Sequence, residues 1–526
     1  MATTLLLLAL TAAATLLVHR SVVTGRSGPD EGFHLHYARQ IRRAGGRIPD
    51  RIRGFYFESP FDYPWLYHLG LSLLPEDWLR RRSHLPNLLV SVVTGVALFG
   101  VTWGVGRTWM PTDRAGWAGA AAVGLWLATP MTVNRRSGIG RLTPRPAGVL
   151  LSFLAIGLSA AGIGLGRPLL VSAAVLPAAA VFLTSKFAVQ TLVLVLPTTA
   201  LLTWEPLYAA VPVGGLAVAT LLSAGRALEV VRGHLRHLRF YGEKIRGRAV
   251  GLEARNRGLW ETLRRLDWTR PRRSLLVLAA SPVTRGVGQA PLALVLAPFA
   301  LFPEGIPGPA AVTGEFLGVI GASAAVFLAV ALVRPLRIIG EADRYLLYGA
   351  VLPGAAVLGL AVVAGDEARV WVTAAVLAVF GALVIALEHA VAAGEEPGGD
   401  GDRREAYRAL ERSGLERVLC VPANFSRLVT FETGVESVMW VGNAPAEAFG
   451  EFDRLFAVHP YPSTDLERLR ERYGFDGIVV YERHIDEEYL RRHDLELSYD
   501  FSGWTLVHRS GGVRVYRHGS DRREEA

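Results

Sequence analysis

One cysteine, Cys420, occurs in 526 residues. That excludes a disulfide framework and a multi-cysteine metal site. Lysine is nearly absent as well: only Lys186 and Lys244 stand among 56 cationic side chains, so arginine carries the basic character. Charge as a whole is scarce, at 20% of residues, and unevenly spread. Long stretches have almost none and others are saturated with arginine. This excludes one ordinary globular enzyme, a disordered chain and a coiled coil. The sequence has no P-loop, no GxGxxG after a strand, no Ser or Cys nucleophile motif and no internal repeat.

What is present is apolar. Hydrophobic residues make up 51% of the chain, mean hydropathy is +0.29 and the net charge is +9. A membrane-crossing helix needs about 20 mostly apolar residues to traverse roughly 30 Å of hydrocarbon. Candidates begin at Thr4 to Val18, which lacks a basic n-region and a clean cleavage site and therefore reads as a retained helix. Others follow at 85–104, 115–131, 147–166, 168–184, 187–203, 207–224, 287–303, 309–333, 345–364 and 370–391. The expected fold class is mainly α: a polytopic bundle of about eleven spans over residues 1–392, with a small C-terminal α/β soluble domain. Pro177, Pro197, Pro212 and Pro353 fall inside apolar spans, where neighbouring groups satisfy freed carbonyls.

Residues 393–402, AGEEPGGDGD, read as a Gly-rich acidic linker, and 403–526 as the soluble domain. Strands are predicted at 416–421, 427–431, 438–442 and 477–482, a helix at 464–474, and two strands around a Gly-Gly turn over 501–517. If the spans alternate, one membrane face carries the first extramembrane loop 20–84, loop 132–146, Lys186, the basic loop 225–286, residues 334–344 and the tail. The opposite face has only short turns. The arginine-rich face would be cytoplasmic by the positive-inside rule.

Two segments of the first loop carry chemistry. SGPDEGFHLHYARQIRRAGG (27–46) places Asp30 and Glu31 at the start of a helix, followed by His34 and Arg39. Carboxylates there are also explained by the helix dipole. FYFESPFDYPWLYHLGLSLLP (55–75) sets Glu58, Asp62, Tyr63, Tyr67 and His68 along an aromatic segment too short to span, which reads as lying in the membrane interface.

These segments resemble the GT-C superfamily of membrane glycosyltransferases, within the group of protein mannosyltransferases and aminoarabinose transferases. The resemblance rests on the acidic pair of DEGFHLHYA after the first helix and on the YPWLYH stretch. GEADRYLLYGAVLP (340–353) heading a late helix and a soluble domain after the last span complete it. It implies sugar transfer from a polyprenyl-phosphate-linked donor to a lipid, glycan or protein acceptor, with the active face and tail outside the cytoplasm. Orientation therefore stays open between this implication and the arginine count.

The chemistry needs a base for the acceptor and cations for the departing phosphate. Asp30 is the candidate general base, the role the resemblance implies for the acid of the first external loop, with Glu31 as helper. The same pair would hold a divalent metal if one is used. Loop 134–146 has no acid at all, which leaves arginine to neutralise phosphate. Lys186, Arg344, Tyr345, Arg141 and Arg145 are candidate donor-phosphate residues. Lys186 also fits a snorkelling anchor, Arg344 an ion pair with Glu341, and the other arginines a head-group belt. His34, Tyr63, Tyr67, His68 and Glu58 are candidates for the acceptor or the interface. VRGHLRHLRFYGEKIRGR (231–248) reads as a basic amphipathic helix on anionic lipid rather than a nucleic-acid site. His34 and His36 lack a convincing third metal ligand, and Cys420 reads as core. A lipid or anion transporter, for which Glu315, Glu388 and His389 are the near-membrane ionisable residues, and a non-catalytic scaffold are the rival readings. The oligomeric state is open.

Overall fold

The computed structural model describes residues 2–21, 29–108, 110–133, 141–245, 259–264, 281–301, 311–349, 351–364, 367–393, 400–485 and 498–519, with isolated positions between 266 and 278. The chain falls into two compact units, each discontinuous in sequence. One comprises 1–25, 82–228 and 254–395, and the other 26–81, 229–253 and 396–526.

The first unit is helical and apolar. Five of its described helices are long and apolar enough to cross a membrane: Ala2–Ser21, Leu85–Gly106, Arg145–Gly164, Lys186–Thr203 and Ala311–Leu332. A sixth crossing results if Leu207–Leu222 and the helix after its break count as one bent span. The expectation of about eleven is not reached by length and composition among the described residues. Spans expected at 115–131, 168–184 and 207–224 form shorter helices of 16, 17 and 16 residues. The stretch 345–364 divides into Arg344–Gly349 and Pro353–Ala364, because Pro353 opens a helix instead of lying within one. Pro177, Pro197 and Pro212 do lie inside helices, as expected.

Small residues bring these helices together. A Cβ on Gly164 would lie 2.7 Å from the Val312 Cα, and one on Gly354 2.7 Å from the Ala122 Cα. Apolar side chains gain little by leaving lipid for protein, so close backbone approach and dispersion supply the association. Leu192, Val195, Leu196, Phe316, Ile320 and Phe327 fill the interior between them.

The second unit is built on a five-stranded mixed sheet. Its strand order is Glu436–Ser437, Arg417–Val421, Gly477–Tyr481, Val513–His518, Trp504–Ser510. The first three are parallel, and the last two join antiparallel through the Gly511-Gly512 turn. The helix expected over 464–474 spans Leu466–Tyr473. The strand expected at 427–431 is instead the helix Ser426–Thr433, closed by Gly434 at φ +76. Leu428 and Phe431, three apart, are both buried, so the short Arg-Leu-Val-Thr-Phe segment satisfied either period until packing chose. The strand expected at 438–442 is reduced to Glu436–Ser437, and Val438, Met439, Trp440 and Val441 are buried outside any regular strand.

Alternation along the sheet explains why the unit needs distant segments. Val418, Cys420, Val479 and Val515 face Tyr407, Leu410, Leu428 and Val429, all from the tail. Leu419, Val421, Ile478 and Val480 face the other way, into a cluster with Phe33, Tyr37, Ile41, Phe55, Phe57, Phe61 and Phe240. A sheet with parallel strands is apolar on both faces and must be covered on both. The first loop and the basic helix provide that second cover. The aromatic segment 55–75 therefore spends Phe55, Phe57 and Phe61 in a protein core, where the sequence placed its rings in the membrane interface. Three buried phenylalanines contribute roughly 5–9 kcal/mol, about the net stability of a whole domain.

Residues 403–526 expressed alone should accordingly fail to fold cooperatively and should bind a hydrophobic dye. Adding residues 26–81 in trans should restore a sharp unfolding transition; a cooperative transition of the isolated tail would refute the shared core.

Candidate active site

In the second unit the helix Pro29–Arg43 presents Asp30 and Glu31 in its first turn, as the sequence suggested. The two differ in surroundings. The Asp30 side chain is 68% exposed, with Arg427 Nη1 3.5 Å from its Oδ1. Glu31 is buried at 3%. Arg427 belongs to helix Ser426–Thr433, is packed over Phe33 at 5.6 Å, and has a buried Nε without an acceptor among the described residues. Nothing in the sequence pointed to Arg427, because nearly 400 residues separate it from Asp30.

Behind the acids lies an ordered imidazole pair. His68 Nδ1 lies 3.0 Å from the Pro64 carbonyl and so carries the proton. Its Nε2 therefore accepts, and His34 Nδ1 donates to it at 2.9 Å. Tyr63 packs edge-on against Phe33 and His68, and Tyr67 against His34 and His68. His34, Tyr63, Tyr67 and His68 thus form one aromatic group beside the acidic turn. Glu58 lies apart from it, with Arg51 Nη1 at 3.6 Å. Asp62 pairs with Arg236 and accepts from Asn443 Nδ2 at 2.9 Å. Among the described residues no three His, Cys, Asp or Glu side chains converge as a metal site.

The candidate cations Arg145, Lys186 and Arg344 lie in the first unit, around Phe187. Arg344 sits 4.2 Å and Arg145 5.4 Å from the centre of its ring. Lys186 precedes Phe187 and opens the helix Lys186–Thr203, whose N-terminal amides carry partial positive charge. Arg344 is oriented by Glu341 at 3.0 Å, the i,i+3 pair expected from the sequence. Asn87 Nδ2 donates to the carbonyls of Arg141 (2.5 Å) and Thr143 (3.0 Å), fixing the approach to helix Arg145–Gly164. Arg141 itself is exposed. Tyr345 is buried and donates its hydroxyl to the Ile339 carbonyl at 3.3 Å. Two further charges escaped the sequence reading: Arg285 and Asp343, both buried, 3.8 Å apart at the head of helix Arg344–Gly349. Their only signal was that Asp343 adjoins Arg344. Glu315 accepts from Tyr208 at 2.8 Å. The side chains of Glu388 and His389, the basic residues 134–140 and 246–248, and most of the 393–402 linker lie outside the described residues.

Burial holds His36 down to about 4 and His68 to about 3; His459, also depressed by the nearby Arg427, is at about 3. All three lie below the value near 6.5 of an unfolded histidine. The unfolded chain therefore takes up the protons, and stability is complete above pH 6.5 and lost as pH falls toward 4. Each histidine contributes a slope of about 1.4 kcal/mol per pH unit within that window. Thermal unfolding of this unit should shift steadily downward between pH 6.5 and 4.5, and His68→Phe should flatten the slope. A melting temperature independent of pH would contradict the buried neutral imidazoles.

No family model and no curated protein matches the chain. Solved structures do. ArnT from Cupriavidus metallidurans bound to undecaprenyl phosphate is 16% identical, covers 97% of each chain and superposes with a TM-score of 0.53. An Archaeoglobus fulgidus oligosaccharyltransferase, solved with zinc and sulfate, is 12% identical with a TM-score of 0.56, over 92% of this chain and 69% of that one. AglB from the same organism, in complex with an inhibitory peptide and a dolichol-phosphate, is 11% identical with a TM-score of 0.52, over 99% and 75%. These are membrane glycosyltransferases of the GT-C type. With its apolar helices and sheet-based second unit, this integral membrane protein has the GT-C fold.

Proposed function

We propose that the chain transfers a sugar from a polyprenyl-phosphate-linked donor to a lipid, glycan or protein acceptor. The observation that carries this reading is the cationic group at Phe187. Arg145 and Arg344 use a single aromatic ring, and Lys186 stands at the head of the adjoining helix. A guanidinium held over a ring is a positioned, weakly hydrated cation whose chemistry matches phosphate oxygens. The undecaprenyl phosphate and dolichol-phosphate named in the solved neighbours support a lipid phosphate as the occupant.

In this mechanism Asp30 is the general base. The acceptor hydroxyl gives its proton to the Asp30 carboxylate while its oxygen bonds to the anomeric carbon. The bond from that carbon to the phosphate oxygen breaks, and polyprenyl phosphate departs with the electron pair. Lys186, Arg145 and Arg344 stabilise the charge that grows on the leaving phosphate. Glu31 and the His34–His68 pair hold the acidic turn in place. Arg141 and Tyr345 stay assigned to the donor region, Arg141 as an exposed cation and Tyr345 by bracing the turn before Arg344. The shorter apolar helices count as crossings in this reading, giving about eleven, and the acids and tail lie outside the cytoplasm. The outward Leu235 and Arg239 of helix Arg226–Phe240 rest on anionic head groups.

Asp30→Asn should lower transfer by about 10²–10⁴-fold with an unchanged melting temperature. Arg344→Met and Lys186→Met should chiefly weaken use of the lipid donor. A fully active, folded Asp30→Asn protein would remove Asp30 from the chemistry. Orientation has its own measurement: alkaline phosphatase fused after Ala526 should be active, and an inactive phosphatase with a fluorescent cytoplasmic reporter would reverse the topology.

A further inference from the structure

The second unit contains a cavity of about 720 Å³ that shares no residue with the assigned transfer machinery apart from the candidate Glu58. Its lining combines three aromatic rings, of which Tyr56 is half-buried and Phe57 and Tyr473 are buried, with Arg51, Glu58, Glu447, Glu451 and Arg472. We propose that this cavity binds a saccharide.

The wall is aromatic and firmly set. Tyr56 meets Phe57 at 4.9 Å and Tyr473 at 5.2 Å, both edge-on, and Phe57 meets Tyr473 at 6.0 Å. One side of the rim is fixed as well. Arg472 reaches Glu451 through Nε and Nη2, both at 2.6 Å, while Tyr473 donates its hydroxyl to the same carboxylate at 2.9 Å. The other side is uncommitted. Glu447 makes no hydrogen bond or ion pair among the described residues, and Glu58 has only Arg51, at 3.6 Å.

Charges of both signs thus line the cavity beside the accessible ring of Tyr56. A small anion placed there meets Glu58 and Glu447, and a small cation meets Arg51 and Arg472. A neutral polyhydroxylated ligand suits both. Its hydroxyls donate to carboxylates and accept from guanidinium groups, while a C–H face of the sugar lies on the Tyr56 ring. The volume falls within the roughly 300–1,000 Å³ of ordinary ligand pockets. Identifying the occupant with the glycan part of the acceptor rests on the transferase reading above; saccharide binding itself does not, because it needs no donor.

The test uses the full chain in lipid nanodiscs free of sugar-based detergent, with maltose, cellobiose and N,N′-diacetylchitobiose as probes and saturation-transfer NMR as readout. At least one disaccharide should bind with a dissociation constant near about 1 mM. The double variant Glu58→Gln with Glu447→Gln should weaken it about tenfold, and Tyr56→Ala should abolish the signal from the sugar C–H protons. Binding that persists in a preparation unable to transfer sugar would leave this inference standing and count against the transferase alone. The inference is overturned if none of the three disaccharides binds, or if the double variant binds as well as the native protein.

Discussion

A Cβ on Gly32 would lie 2.9 Å from the Leu428 Cα and 3.2 Å from the Arg427 carbonyl oxygen. Helix Pro29–Arg43 therefore rests almost backbone to backbone on helix Ser426–Thr433, and only a residue without a side chain permits it. Much of the second unit depends on this approach. It brings Arg427 to Asp30 and Phe33. It is locked by Arg39, whose Nη1 donates to the Phe431 carbonyl at 2.5 Å and whose guanidinium lies 4.0 Å from the Phe431 ring. Thr430 reaches back to the Gly54 carbonyl at 3.3 Å, at the start of the aromatic segment. Once the helices are in contact, the rings of 55–61 have a sheet face to cover, and the loop and tail become one core.

The preference for arginine over lysine has a use in this architecture. Phe187 carries Arg145 and Arg344, Phe431 carries Arg39 and Arg80, and Tyr56 carries Arg417. A planar, weakly hydrated guanidinium stacks on a ring and keeps its hydrogen-bonding edge; a compact ammonium does not. Many of the same groups are paired: Arg39 and Arg80 with Glu76, Arg80 also with Glu432, Arg417 with Glu436. The net charge of +9 is thus distributed over oriented groups, in the second unit and around Phe187.

The candidate site was legible where chemistry and local period coincide. An acidic pair at a helix start, a lysine heading an apolar helix and the Glu341–Arg344 spacing are all short-range facts, and each appears where the sequence put it. Arg427, Arg285 and the Arg145–Phe187–Arg344 stack were not legible, since each depends on residues far apart in the chain. Residues 427–431 illustrate the same limit within one element. Arg-Leu-Val-Thr-Phe has the β-branched content of a strand, and only the approach of Gly32 and the burial of Leu428 with Phe431 make it a helix.

The sequence by itself determined the apolar helices, the scarcity of charge within them, the separate composition of the tail and the acidic turn after the first helix. These follow from hydropathy, which acts residue by residue and survives any arrangement of neighbours. Tertiary structure alone decided that the segment from Phe33 to Phe61, with Phe240 and Ile245, completes the tail's core, that the aromatic segment is interior, and that an arginine from the tail stands beside Asp30. Those outcomes depend on which apolar face is left uncovered once the sheet has formed. A sheet with two apolar faces recruits its second layer from wherever the chain can supply it, and sequence distance does not enter that energy.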